Sequence, residues 1–299
     1  MSNDQISSIR IEQGFAAKLG AFVELLKLRL SFLVVFSSAF GYVLGSNGTF
    51  DWKSLIMFCI GGFLISGSAV TLNQVYEVEY DRKMKRTRSR PLPTERINGR
   101  EALIYALLLL ALGGLVLMYF TNLLTTVLSL LSLVLYAFIY TPLKRVGPVA
   151  VLVGAIPGSL PPLLGWAAAT NNISHEALII FGIQFIWQFP HFWAIAWIAD
   201  EDYKKAGFKL LPGNGEKDMN TAFQIMIYTL FLIPLGLLPT VFGLTGVISG
   251  TIATVCGVLF LSQTFRHMKN CNRSTALSIM YSSFLYLPIV QIAYLMDKI

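Results

Sequence analysis

The sequence predicts an all-α polytopic membrane protein, a bundle of nine transmembrane helices with its active site on the cytoplasmic side. Three observations predict it. The 299 residues are 55% hydrophobic, with a mean hydropathy of +0.64, far too apolar for a soluble domain of this size. Nine mostly apolar stretches, near 28–46, 54–76, 102–120, 123–141, 148–168, 177–198, 221–241, 243–262 and 276–296, reach the length of about 17–25 residues that spans a bilayer. With the N-terminus inside, 21 of the 23 Lys and Arg residues fall on inner segments, and only Lys53 and Lys298 fall outside. The C-terminus is then periplasmic.

That asymmetry, together with an anionic ligand, accounts for the net charge of +7, and nothing points to nucleic acid. Cys59, Cys256 and Cys271 lack metal or redox spacing and read as reduced thiols. Met1 to Lys27 is polar and mixed in charge, unlike a secretory signal or an acid-poor transit peptide. It is expected to be a cytoplasmic N-terminal segment, 1–27, with the remainder, 28–299, forming one intramembrane domain in a bacterial inner membrane.

The first span opens on Leu26-Lys27-Leu28-Arg29-Leu30, whose basic side chains snorkel to the inner interface and indicate orientation. The second carries Gly61, Gly62, Ser66, Gly67 and Ser68, small residues that permit close helix contact. It leads into Asn73, Glu77 and Asp81, which at i, i+4 and i+8 project from one helix face. Acids stacked in this way repel one another unless a cation lies between them. Mg²⁺ shared with a diphosphate accepts such oxygen ligands. The following Arg82, Lys83, Lys85, Arg86, Arg88 and Arg90 could meet phosphate oxygens. A solvated basic loop with a few counter-charges is the plain alternative. Pro91 and Pro93 then turn the chain into the third span.

The fourth span ends at Tyr140-Thr-Pro-Leu-Lys144-Arg145, topological anchors or phosphate contacts. The fifth holds Gly154, Gly158, Gly165, Pro157, Pro161 and Pro162, which predict a kinked or partly unwound helix walling a substrate chamber, or a kink that serves packing alone. In the sixth, His191 and Asp202 lie eleven residues apart, close to three turns, so they share a face if the helix continues, while Asp200 points elsewhere. An ionisable residue within a span marks a functional site by default, although a hydrogen-bonded structural histidine is the competing reading for His191. His175 and His267 read as surface residues. Trp187, Phe189, Phe192, Trp193 and Trp197 fit a core or an interface belt, and aromatic faces also stabilise carbocations. The last three spans, with Pro234, Pro239 and Pro288, carry no charge and complete the bundle. The acid-bearing ends of spans two and six suggest a weak internal duplication that could hold a magnesium diphosphate between its halves.

Three stretches taken together resemble the UbiA-type intramembrane prenyltransferases. They are Asn73 to Pro93 with Arg86-Thr87 and Arg90-Pro-Leu-Pro93, Tyr140-Thr141 through Gly154 to Trp166, and Trp187-Gln-Phe-Pro-His-Phe-Trp193 through Asp202-Tyr-Lys-Lys-Ala-Gly207 to Pro212. The closest resemblance is to the branch that acts on haem. It implies a nine-helix fold, Mg²⁺ as cofactor, and transfer of farnesyl from farnesyl diphosphate to the 2-vinyl group of haem B, giving haem O. Carried over by position, it implies Asn73, Glu77, Asp81 and Asp202 as metal ligands and catalytic residues, with His191 taking part. Arg86, Arg90, Lys83, Lys144 and Lys205 would bind the diphosphate. Membrane lipid surrounds such an enzyme, and a haem A synthase or terminal oxidase assembly is a candidate partner.

Two departures accompany the resemblance. Glu77 and Glu79 stand where Asp is frequent, and Ile198 replaces the acid one turn before Asp202. The rival readings are a UbiA-type enzyme acting on an aromatic acid or quinone precursor, and a secondary transporter. Transport predicts ionisable groups near the midplane of several helices, whereas the acids here cluster at one end.

Overall fold

In the computed structural model, residues 14, 16–46, 48 and 51–299 are described. Of the expected cytoplasmic segment 1–27, which reads as neither signal nor transit peptide, residues 1–13 and 15, Arg10 among them, lie outside the described residues. Among the described residues nine helices are long and apolar enough to cross a membrane, and the protein is a multi-pass membrane protein. They are α1 (Leu28–Gly45), α2 (Trp52–Asp81), α3 (Gly99–Phe120), α4 (Leu123–Leu143), α5 (Val149–Thr170), α6 (His175–Lys205), α7 (Met219–Val241), α8 (Val247–Asn270) and α9 (Arg273–Met296).

Short polar residues start many of these helices by accepting hydrogen bonds from otherwise unpaired first-turn amides. Asp51 caps α2, Asn98 and Glu101 form a reciprocal capping box on α3, and Asn122, Asp218 and Asn272 cap α4, α7 and α9. Each helix packs against its neighbours in sequence, α1 also packs against α5 and α9, and α9 returns to pack against α6.

Small residues set the closest approaches. A Cβ on Gly165 would lie 1.9 Å from the Ser38 carbonyl oxygen, and one on Gly41 would lie 1.9 Å from that of Pro162, so α1 and α5 meet backbone to backbone. Without a hydrophobic drive between helices in lipid, such close contact supplies the dispersion attraction that holds them together. The fifth span is accordingly not unwound: α5 runs as one helix with Pro157, Pro161 and Pro162 inside it. Its glycines admit neighbours, Gly165 the α1 backbone, Gly154 the Tyr140 ring and Gly158 the Gln188 side chain.

The eighth helix differs from its predicted bounds at both ends. Gly246 donates from its amide to Asp297 at 2.8 Å and Thr245 pairs with Lys298, which holds the start back to Val247. Beyond residue 262 the polar stretch stays helical to Asn270, so His267 lies in a helix rather than a loop and is fully buried, contrary to its reading as a surface residue. At the other extreme of regularity, α4 contains a π-helical stretch, Leu135–Tyr140. The longest helices, α2 with 30 residues and α6 with 31, end on the same side of the bundle. A small apolar cluster of Ala21, Leu25, Leu92, Ile97 and Ala102 fastens the chain before α1 beside the α2–α3 connection at this charged end.

Candidate active site

The α2 register brings Asn73, Glu77 and Asp81 onto one buried face, 1%, 5% and 0% exposed. Each is met by a group from elsewhere in the chain. Asn73 donates from Nδ2 to the Thr141 hydroxyl at 2.9 Å, and Thr141 donates to the Tyr136 carbonyl at 2.9 Å across the π-helical stretch. A π turn frees backbone carbonyls from the ordinary ladder, which is why such turns recur at functional sites. Lys144 forms an ion pair with Glu77 at 2.8 Å and lies 4.7 Å over the Tyr140 ring. Burial draws the Lys144 ammonium downward, but the charge and hydrogen bond of Glu77, together with Tyr136 and Tyr203, hold the group above its ordinary pKa.

Arg90 forms an ion pair with Asp81 through Oδ2 at 2.8 Å, while Oδ1 is buried without a hydrogen-bond partner. A buried carboxylate oxygen with no donor is costly unless a ligand supplies one. Glu79 points away, exposed and paired with Arg82 at 3.1 Å.

The α2–α3 connection joins the two acid-bearing ends. The Arg86 amide donates to Asp202 Oδ2 at 3.1 Å and its guanidinium to the Tyr203 hydroxyl at 3.2 Å. Lys205 reaches Asp202 Oδ1 at 3.4 Å. Lys83 is exposed, 5.5 Å over Tyr80, outside the buried face. Asp200 departs from Asp202 as the register requires, pairing with Lys204 at 3.3 Å and Lys217 at 3.4 Å. Among the described residues no group of three His, Cys, Asp or Glu is gathered for a metal, because the acids are held by bases. A cation would therefore have to be completed by oxygens from a ligand and water, the coordination Mg²⁺ favours.

Lys27 enters this site although its sequence context indicated orientation alone. It stands before α1 in the left-handed region, φ 47° and ψ 56°, strained for a residue with a Cβ. Its ammonium lies within electrostatic reach of Arg90, Lys144, Glu77 and Asp81 and has no hydrogen bond or ion pair among the described residues. Burial first, then the cations of Arg90 and Lys144, lowers it to about 7 against the pull of the two carboxylates. No sequence signal marks a lysine for that backbone conformation.

Deeper in α6, Gln184 donates to the Gly158 carbonyl at 2.8 Å and accepts from Ser37 at 2.8 Å and Gln291 at 3.1 Å. This face therefore meets α5, α1 and α9. His191, seven residues on and so nearly two turns along, shares it. Its Nδ1 lies 2.8 Å from the Ser283 hydroxyl, and its ring stacks on Trp187 at 4.5 Å. Trp193 and Phe189 turn instead to Tyr228 of α7, and Trp197 meets His267 edge-on at 4.4 Å. His175 is exposed beside Glu176, as expected.

Residues 34–287 match the UbiA prenyltransferase family. The chain belongs to that family. As a UbiA member it is an enzyme, a transferase of prenyl groups. Among UbiA relatives, a protein of Cytophaga hutchinsonii named protoheme IX farnesyltransferase is 51% identical over 284 residues, covering 95% of this chain and 99% of the relative. One of Christiangramia forsetii with the same name is 42% identical, covering 98% of both chains. Among solved structures, one of digeranylgeranylglyceryl phosphate synthase superposes with a TM-score of 0.78 at 19% identity, covering 94% of this chain and 98% of that one. A UbiA homologue from Archaeoglobus fulgidus bound to GPP and Mg²⁺ superposes with a TM-score of 0.64 at 17% identity, covering 92% and 99%. At these identities the structural likeness is one of fold.

Proposed function

We infer that the chain converts haem B to haem O by transferring a farnesyl group from farnesyl diphosphate to the haem 2-vinyl group. The observation that carries the reading is the buried face of Asn73, Glu77 and Asp81, met by Lys144 and Arg90, in a chain 51% identical to a protein named protoheme IX farnesyltransferase.

A diphosphate needs compensation for its charge, and more as the bond to the allylic carbon breaks. Arg86, Arg90, Lys144 and Lys27 stand at the acid face to supply it, with Lys205 and Lys83 further out. Asn73 Oδ1, Glu77, Asp81 through its unpartnered Oδ1, and Asp202 would hold Mg²⁺, the ion bound with GPP in the Archaeoglobus homologue. When bound, the ion neutralises diphosphate charge as a Lewis acid.

The apolar interior beneath the site keeps water from the allylic cation until the vinyl π electrons attack its terminal carbon. That attack forms the new C–C bond and leaves a cation beside the porphyrin ring. Water adds there and releases a proton, giving the hydroxyethylfarnesyl side chain. His191 faces the acceptor.

In this reading the acid-bearing end faces the cytoplasm from a bacterial inner membrane, with the N-terminus inside, the C-terminus periplasmic and residues 28–299 acting as one domain; the sided distribution of Lys and Arg supports it. Haem O would pass to a haem A synthase or a terminal oxidase assembly.

The test is incubation of the purified protein with haem B, farnesyl diphosphate and Mg²⁺, with and without chelator, followed by mass spectrometry of the haem. A chelator-sensitive gain of one farnesyl and one hydroxyl is expected. Unmodified haem alongside a prenylated aromatic acid or quinone precursor would overturn the assignment.

A further inference from the structure

We propose that His191 is an axial ligand to the iron of the porphyrin acceptor, an inference that rests on the haem reading above. The hydrogen-bond directions around the ring carry it. The Ser283 hydroxyl donates its one hydrogen to the Met280 carbonyl at 2.6 Å, so toward His191 it can only accept. The proton of the neutral imidazole is thereby held on Nδ1, and Nε2 keeps its lone pair.

Among the described residues Nε2 meets no hydrogen-bond partner, and it is not one of their enclosed, unpartnered polar atoms. Metal-bound histidines are built in this way: one nitrogen donates to a fixed acceptor, and this sets the tautomer and the ring plane and leaves the other nitrogen for the metal. Coordination uses that lone pair and displaces no proton.

Aromatic rings flank the imidazole, Phe192 among them at 5.6 Å. The Trp187 ring stacks one turn away and is itself fixed by donating Nε1 to the Ser283 carbonyl at 2.9 Å. Phe284 meets the imidazole edge-on at 4.9 Å. The helix face that carries His191 is the one through which Gln184 meets α1, α5 and α9, so the ring is directed into the bundle. Eleven residues separate His191 from Asp202, a rise of about 16 Å over which a porphyrin edge and an allylic diphosphate could meet. The other two histidines in the sequence offer no comparable atom. His175 is exposed beyond the far end, and His267 Nε2 is sealed in the core.

The experiment binds ferric haem B to the full chain in detergent, with histidine labelled by ¹⁵N, and reads the nitrogen hyperfine coupling at the iron. The ¹⁵N coupling is expected in the unaltered protein and in His175→Ala, absent in His191→Gly, and restored in His191→Gly by added ¹⁵N-imidazole. Ser283→Ala should retain it while binding haem about tenfold more weakly, the usual effect of removing the partner of a metal-bound histidine.

Haem that binds and is farnesylated without histidine coupling would overturn the ligation and leave the haem reading intact. An unchanged spectrum in His191→Gly would do the same. Haem that neither binds nor reacts would overturn both, and the prenylation assay above separates that case.

Discussion

At the end of α2 the carboxylates of Glu77 and Asp81 are enclosed, and each meets one base, Lys144 or Arg90, at 2.8 Å. At the end of α6, Asp202 keeps 19% of its side chain exposed and is held by the Arg86 amide and, more loosely, by Lys205. From the sequence the two ends read as a weak internal duplication that could hold a magnesium diphosphate between its halves. The structure separates a half enclosed by buried ion pairs from one held by an amide of the α2–α3 connection. A buried carboxylate paired with a single base is strongly coupled to it, because desolvation raises the cost of leaving either partner alone, whereas a partly exposed one is screened by water. The difference teaches that buried acid–base pairing is concentrated at the end of α2, with its bases supplied by Lys144 after α4 and Arg90 of the α2–α3 connection, whereas Asp202 is held chiefly by an amide of that connection.

Four measurements would break or sharpen that contrast. The largest effect is expected from Asp81→Ala, which should lower kcat/KM by about 10²–10³, the range for losing one preorganised electrostatic group, while the protein still inserts. Near-normal turnover in that variant would remove Asp81 from the site. Next, Lys144→Met leaves Glu77 buried without its cation and should lower stability on the order of 3–5 kcal/mol, read as a fall in Tm in detergent. An unchanged Tm would show that Glu77 is less enclosed than its 5% exposure indicates.

Asp202→Asn should act more mildly, raising KM for the prenyl diphosphate by about tenfold with a smaller change in kcat, as expected where binding rather than transition-state contact is lost. A loss as large as that of Asp81→Ala would erase the distinction between the two ends.

The smallest effect concerns Lys27, whose pKa is lowered to about 7. Below that pH it is already charged and diphosphate binding takes up no proton. Above it the free protein carries the neutral amine, an anion must recruit a proton on binding, and affinity should fall by up to about tenfold per pH unit. Isothermal titration of inorganic diphosphate in two buffers of different ionisation enthalpy measures that uptake, and Lys27→Met should abolish it.

The legible part of the site was the part with local periodicity. Asn73, Glu77 and Asp81 share a buried face, and His191 and Asp202 lie on one continuous helix, because a repeat near four residues is a property of the helix itself. What lies opposite those residues was not legible. Lys144 stands far along the chain from Glu77, and no pattern in the sequence of either names the other. The glycines and prolines of α5 mark a special helix, but the same residues suit a broken helix and a closely packed one; only the α1 backbone against Gly165 decides for packing. His267 read as a surface residue because its neighbours are basic, yet the helix carries it inward against Trp197.

By itself, then, the sequence determined the nine spans, the sided placement of basic charge and the acid-bearing face of α2. Each follows from hydropathy or from spacing within one segment, and in lipid a backbone must satisfy its hydrogen bonds within that segment by forming a helix. The tertiary structure alone decided the left-handed turn that brings Lys27 to the acids, the base assigned to each carboxylate, and the Ser283 hydroxyl set against His191 Nδ1. Those depend on contacts between distant segments, where a rotation of one helix by a single residue would replace one partner with another.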